Sequence, residues 1–397
     1  MKIARVEAMI LRAGDDTSQA AARPRMGTIS RSARALDGGY DIDRSRAAYP
    51  GCMQTVLVRV TSDEGLVGYG EAHAPLAPEV TRAVVDNLLA PVIVGEDPRA
   101  VDVLWERMYT SMRIRGHRTG FMMEAMSGVD IALWDLFGKA VGLPVYRLLG
   151  GGYRNRANAY ASGVPGATPE ARARNALGFL DEGFTAMKLG LGGRGPKASI
   201  PFVRAVREAV GDRAHLMVDA QGGYDFYTAL AFGRALEEWN VYWVEDPLPP
   251  EDISGHRKLT ASLDMAVATG EALCARWGFR PWITTGALDV ILPDVCRAGG
   301  ISECHKIANM ADAFNIPWAG HVSMGTCVHI AATLHLAAAT PNFLICECPA
   351  SFRTNPLGNV LLEKALDLQD GQFAVPQGPG LGIAFDEEAL RGCVVEE

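Results

Sequence analysis

The sequence predicts an α/β protein in which a parallel β/α barrel follows an α+β opening. Three observations predict it. From residue 157 onward, eight short β-rich runs alternate with helical stretches. The preceding third lacks that rhythm and reads as a strand, a hairpin and helices. Seven of the eight runs carry an ionisable residue at or near their C-terminal end, so chemistry-bearing side chains recur once per βα unit.

The elements follow in chain order. Residues 2–11 alternate like a strand, and 54–72 read as a hairpin, QTVLVRV and LVGYGEA, joined at Ser62-Asp63-Glu64-Gly65. Val101, Leu104, Trp105 and Met108 form one helical face, and 121–141 is apolar nearly all round, as in a buried helix. Between the first strand and the hairpin lies a long irregular segment, 12–53, with Gly14, Pro24, Gly27, Gly38 and Gly39. It also carries Arg23, Arg25, Arg31, Arg34, Arg44 and Arg46, and reads either as a solvated mobile loop or as a lid over an anionic ligand. The eight runs are 157–163, 186–190, 215–220, 241–247, 265–272, 289–295, 316–322 and 343–349. A doubly wound open sheet is the alternative, but the number of runs and the lack of a GxGxxG turn count against it.

Composition narrows the function. Of the 397 residues 48 % are apolar and 21 % charged, which excludes a mainly disordered chain. A net charge of −8 argues against nucleic-acid or anionic-membrane partners. No apolar run reaches the length of a membrane span, and Arg5 and Glu7 interrupt the opening where a signal peptide needs an apolar core. The eight cysteines form no CxxC pair, so buried free thiols in a reducing cytoplasm are expected.

Lys188, Asp219, Glu245, Glu271, Asp294, His321 and Glu347 end successive runs, at spacings of 31, 26, 26, 23, 27 and 26 residues. In a β/α barrel the strand C-termini share one mouth, so these side chains are expected to converge there. Asp219, Glu245 and Glu271 fall on three consecutive strands, where unneutralised carboxylates would repel one another. An all-oxygen set of single carboxylates suits Mg²⁺ better than Zn²⁺. Asp294 beside His321 would orient the imidazole and make it a general base. His215, His256, His305, His329 and His335 read as structural, remote from the mouth, whereas His73 and His117 could reach a ligand.

These residues resemble the enolase superfamily, and within it the mandelate racemase subgroup. The resemblance runs nearly end to end. AMSGVDIALWDLFGKAVGLPVYRLLGG (125–151) resembles the passage from that family's capping domain into its barrel; VDA, VEDP and ATGEAL resemble its metal-ligand strands. ILPDVCRAGGISE and PWAGHVSMG resemble its Asp-His strands, and DGQFAVPQGPGLGIAFDEEAL resembles its C-terminal return to the cap. The resemblance implies a modified TIM barrel, (β/α)₇β, under an α+β N-terminal capping domain. The implied limits are 1–124 for the cap, 125–375 for the barrel and 376–397 for the returning tail. It implies one Mg²⁺ on Asp219, Glu245 and Glu271, abstraction of the proton α to a substrate carboxylate, and a protonated Glu347 that hydrogen-bonds the enolate oxygen.

One departure bears on the reaction. The subgroup often has Lys-x-Lys on the second barrel strand, and here the segment is Lys188-Leu189-Gly190. Gly190 leaves a gap where a base for the opposite face would stand. Lys188 then either neutralises charge around the substrate carboxylate or faces the metal carboxylates. One base suffices for β-elimination, so the expected reaction is dehydration of a sugar acid to a 2-keto-3-deoxy acid. The alternatives are a lactone cycloisomerase or a racemase/epimerase with a second acid from the loop or Tyr224, or an inactive homologue. A small carboxylate substrate, a cytoplasmic location and a homo-oligomer complete the expectation.

Overall fold

The structure, a computed structural model, describes residues 1–13, 52–191 and 195–395. The six arginines of the 12–53 segment therefore lie outside the described residues.

The cap is a three-stranded antiparallel sheet, β1 (Ile3–Arg12), β2 (Gln54–Ser62) and β3 (Val67–Ala72), in that order. The hairpin falls where the sequence predicts it, with Gly65 at φ +83° in the turn. Helices α1 (Pro78–Val84), α2 (Ala90–Ile93), α3 (Val101–Arg113), α4 (Phe121–Val141) and α5 (Val145–Leu148) follow. The expected apolar face of α3 is buried. Helix α4 is buried all round, and small residues let it lie directly on the sheet. A Cβ on Gly68 would stand 2.2 Å from the Ala132 carbonyl oxygen, and one on Gly70 would stand 2.0 Å from that of Gly128. Gly68 and Gly70 share a face of β3 because strand side chains alternate.

Eight parallel strands make the barrel: β4 (Arg156–Ser162), β5 (Ala186–Gly190), β6 (His215–Asp219), β7 (Val241–Glu245), β8 (Ala266–Thr269), β9 (Val290–Ile291), β10 (Trp318–Gly320) and β11 (Phe343–Pro349). Pairing of β11 with β4 closes the ring. Seven helices connect them, α6 (Pro169–Asp181), α7 (Pro196–Val210), α8 (Phe226–Glu237), α9 (Ile253–Thr260), α10 (Ala275–Thr285), α11 (Gly300–Asp312) and α12 (Cys327–Ala339). The result is a (β/α)₇β barrel, as the sequence leads one to expect. Helix α7 shows the reason for the alternation: its buried Ser199, Phe202, Val203, Val206 and Val210 recur at helical spacing. Thr168, Asp225, Asp252 and Thr326 cap the helices that follow β4, β6, β7 and β10. Tyr160, Met217, Trp243, Val290 and Leu292 are among the side chains that fill the barrel interior beneath the mouth.

After β11 the chain adds a hairpin, β12 (Leu368–Gln369) and β13 (Gln372–Ala374), against β4 and ends in α13 (Glu387–Cys393). This tail reaches the cap, where Val395 N donates to Ile10 O at 2.9 Å. Helix α4 spans residues 124 and 125 and ties cap to barrel through polar groups. Asp130 Oδ2 accepts from Ser302 N at 3.0 Å, Ser127 Oγ accepts from Gly299 N at 2.9 Å, and Trp134 Nε1 donates to Ser302 Oγ at 2.9 Å. No helix among the described residues is long and apolar enough to cross a membrane.

Two outcomes follow from the cap. Gly70→Ala forces a methyl group into the Gly128 carbonyl and should destabilise the chain by about 1–3 kcal/mol, read by urea unfolding. Burial raises the Asp130 carboxyl from 3.8 to about 7. The folded chain keeps a proton there that the unfolded chain releases. This group's stabilisation is therefore full below about pH 4 and is lost as pH rises through about 7. Asp130→Asn should flatten that part of the stability profile, measured by unfolding across pH 4–8.

Candidate active site

The seven residues singled out from the sequence meet at the C-terminal mouth of the barrel. Lys188 lies on β5, Asp219 ends β6, Glu245 ends β7 and Glu347 lies on β11. Glu271 and Asp294 stand just beyond β8 and β9, and His321 directly follows β10. Asp219 and Glu245 are register partners, and an isolated parallel bridge joins Asp294 to His321. The mouth opens into a cavity of about 770 Å³ lined by Lys188, Gly190, Asp219, Glu271, His321 and Glu347, among others. Asp294 and Glu245 are buried behind that lining.

His321 and Asp294 form the expected pair, with Nδ1 2.8 Å from Asp294 Oδ2. The other ring nitrogen, Nε2, lies 3.0 Å from Glu271 Oε2 and 3.9 Å from Glu347 Oε2. Burial opposes a charge on the imidazole, but Glu271, Glu347 and the bond to Asp294 outweigh it and hold His321 well above its ordinary pKa. Asp294 moves the other way: burial is overcome by His329 and His321, which keep it ionised well below the usual carboxylate range.

Lys188 is buried and already engaged. Its Nζ stands 2.5 Å from Glu245 Oε1 and 3.2 Å from Glu347 Oε1, over the Tyr160 ring. Of the two roles open from the sequence, the one facing the carboxylates is where the side chain sits. Gly190 lines the cavity, and a Cβ built there meets no atom of the described residues within 4 Å.

Both carboxylate oxygens of Glu347 meet donors. Val322 N and Ser323 N donate to Oε2 at 2.6 and 2.8 Å, and Ser162 Oγ donates to Oε1 at 2.5 Å. Burial would raise its pKa, but Lys188, His321 and these donors hold it well below the ordinary value. The site thus favours the carboxylate form of Glu347.

Asp219 lacks such support. Gln221 N donates to it at 2.9 Å, while burial and the Glu245 and Glu271 charges push it up to about 8. Burial also raises Glu245, despite Lys188, whereas Glu271 falls to about 2 because His321 outweighs its burial. A divalent cation among Asp219, Glu245 and Glu271 would relieve this repulsion, so these donors fit a hard ion. Among the described residues, the group of possible ligands whose donor atoms lie within 4.8 Å of one another is Glu71, Cys296 and His329, behind the dyad. Its donor atoms are largely committed: Glu71 accepts from Thr55 Oγ1, Thr326 Oγ1 and Thr326 N, and His329 Nε2 faces Asp294.

Several site groups escaped the sequence reading. Ser162 and Asp246 line the cavity, with Thr269 Oγ1 donating to Asp246. Arg297 lines it too. His73 lines it from the cap side, within the reach the sequence allowed it. His329, read as remote, is not: it touches Asp294. The uniformly apolar helix around it hid that contact, because a histidine in such a run reads as core. Tyr224 packs against Phe232, with ring centroids 5.4 Å apart, and is not part of the cavity lining.

Comparison with known proteins places the chain in a family. A family profile described as enolase C-terminal domain-like matches residues 171–389, and one for the mandelate racemase / muconate lactonizing enzyme N-terminal domain matches residues 50–150. D-Galactarolactone cycloisomerase of Agrobacterium fabrum is 35 % identical over 352 residues, covering 84 % of this chain and 90 % of that protein. D-Xylonate dehydratase of Haloferax volcanii is 34 % identical over 361 residues, covering 86 % and 85 %. The crystal structure of the 3,6-anhydro-D-galactonate cycloisomerase from Zobellia galactanivorans superposes with a TM-score of 0.83 at 27 % identity, over 100 % of both chains. The chain belongs to the enolase superfamily, in its mandelate racemase and muconate lactonizing enzyme family.

Proposed function

We propose that the protein dehydrates a sugar acid to a 2-keto-3-deoxy acid, starting with abstraction of the proton α to the carboxylate. The observation that carries this reading is the His321–Asp294 pair in a cavity where β5 carries Gly190 two residues beyond a Lys188 that Glu245 and Glu347 already engage. The relatives named as sugar-acid dehydratases support the substrate class.

Asp219, Glu245 and Glu271 would hold a Mg²⁺ ion, which when bound supplies the positive charge that an enediolate requires. Asp294 holds His321 Nδ1, so that Nε2 is the atom that takes the α-proton. The C–H electron pair moves into the enediolate. When that pair returns, it expels the β-hydroxyl, which leaves as water with the proton that His321 has gained. The enol so formed tautomerises to the ketone. His321 thus serves as base and then acid on one face, which requires syn elimination. Lys188 keeps a positive charge between Glu245 and Glu347, and Glu347 in turn fixes the backbone after His321 through Val322 N and Ser323 N. A lactone cycloisomerase is the second reading, favoured by the likeness to the galactarolactone enzyme. It uses the same base and differs in the group that leaves.

Asp219→Asn, Glu245→Gln and Glu271→Gln should each weaken Mg²⁺ binding in calorimetry and abolish turnover of a panel of acid sugars. Full activity in a chelated sample overturns the metal assignment. His321→Asn should stop α-proton exchange in D₂O, followed by NMR, and leave Mg²⁺ binding intact. In the unaltered enzyme, one α-epimer should exchange and the other should not. Exchange of both at similar rates would reveal a second base despite Gly190.

A further inference from the structure

Behind the His321–Asp294 pair lies a second histidine that the proposed reaction does not use. His329 is fully buried in the first turn of α12. Its Nε2 is 3.2 Å from Asp294 Oδ1 and 3.1 Å from the His321 carbonyl oxygen. Both of those atoms are acceptors, so Nε2 must carry the proton. Its other nitrogen, Nδ1, is buried without a partner. It lies against Gly325, where a Cβ would come within 2.2 Å of it, so no acceptor can approach from that side. Nε2 is therefore the donor to Asp294, and Nδ1 makes no hydrogen bond among the described residues.

We propose that His329 is the positioning residue of the base, acting through Asp294, and that the cap carboxylate Glu71 holds it in place. Asp294 Oδ2 meets His321 Nδ1, while Oδ1 accepts from Cys296 N at 2.8 Å and from His329 Nε2. Three donors thus fix the carboxylate plane and keep Asp294 ionised, so the proton shared with His321 stays on the imidazole. Without His329, Oδ1 keeps one donor and the carboxylate can turn away from the His321 ring. Glu71 secures the helix that carries the donor. Its Oε2 accepts from Thr326 Oγ1 at 2.6 Å, Thr326 N at 3.0 Å and His329 N at 3.2 Å, which places a negative charge on the first turn of α12. Glu71 belongs to β3, so the cap takes part in aiming a base that stands in the barrel.

The proposal rests on His321 being the base, and its test separates the two. The full-length protein with Mg²⁺ is compared with His329→Gln, which keeps an N–H donor near the Nε2 position, and His329→Phe, which keeps the bulk and loses the donor. The Phe variant should lower kcat by about tenfold or more with little change in KM, and Gln should recover most of it. Equal kcat for Phe and the unaltered enzyme, or no rescue by Gln, overturns the proposal, the latter because it makes the effect one of volume. If the Phe variant does not fold, His329→Asn, too short to reach Asp294, replaces it with the same two outcomes. A second arm needs no turnover. In ¹⁵N-histidine-labelled protein, His329 should show a protonated Nε2, and loss of the donor should move the His321 Nδ1–H signal. An unprotonated Nε2 on His329, or an unmoved His321 signal, overturns the proposal. If no acid sugar is turned over, the reaction assignment fails while this arm still decides the role of His329.

Discussion

Repulsion between crowded carboxyl groups, three of them buried and three half-buried, is the constraint on which the barrel mouth depends. Asp219, Glu245, Asp246, Glu271, Asp294 and Glu347 crowd one end of the barrel. What each does is decided by the donors it meets. Asp294 and Glu347 receive backbone and side-chain N–H groups and sink below the ordinary range. Asp219 and Asp246 receive too few, so burial and neighbouring charge drive them up. The imbalance divides the site. The half built on β9 to β11 is electrostatically settled by the protein itself. The half built on β6 and β7 carries negative charge in excess, and that is the half where a hard cation is proposed to sit.

Much of this was legible in the sequence. The β5 and β11 runs coincide with their strands, and the other six enclose or overlap theirs, because the period-two and 3.6-residue patterns directly reflect which faces are buried. The ionisable residue closing each run was legible for the same reason: a strand that is apolar along its length and polar at its tip has to present that tip to a mouth. What was not legible depends on distance in three dimensions. Nothing in HIAATLHLAAA distinguishes His329, on Asp294, from His335, which stacks on Tyr146. Nor does GYGEA reveal that Glu71 will cap a helix about 255 residues later. Two of the Glu347 donors, Val322 N and Ser323 N, were not legible because backbone groups have no sequence signature.

The cap is more than a cover. Glycines at 68, 70 and 128 let α4 rest on the sheet at backbone distance, and α4 then offers Ser127, Asp130 and Trp134 to the start of α11. Helix α11 follows the strand end that carries Asp294. The small residues of β3 therefore influence the geometry of the base at two removes, through rigid packing and not through any charge of their own.

The register of the first two strands has its own consequence. Arg12 faces Gln54 across the sheet, with Arg12 Nε donating to Gln54 Oε1 at 3.0 Å, and Gln54 Nε2 reaches Pro75 O at the cavity edge. The separation of those two positions is set by the sheet, whatever joins them. Closing a longer connection costs little, about 0.6 kcal/mol for each doubling of its length. The junction thus behaves as a socket: the sheet fixes where the connection leaves and returns, so a change in its length would leave the barrel and its base aligned.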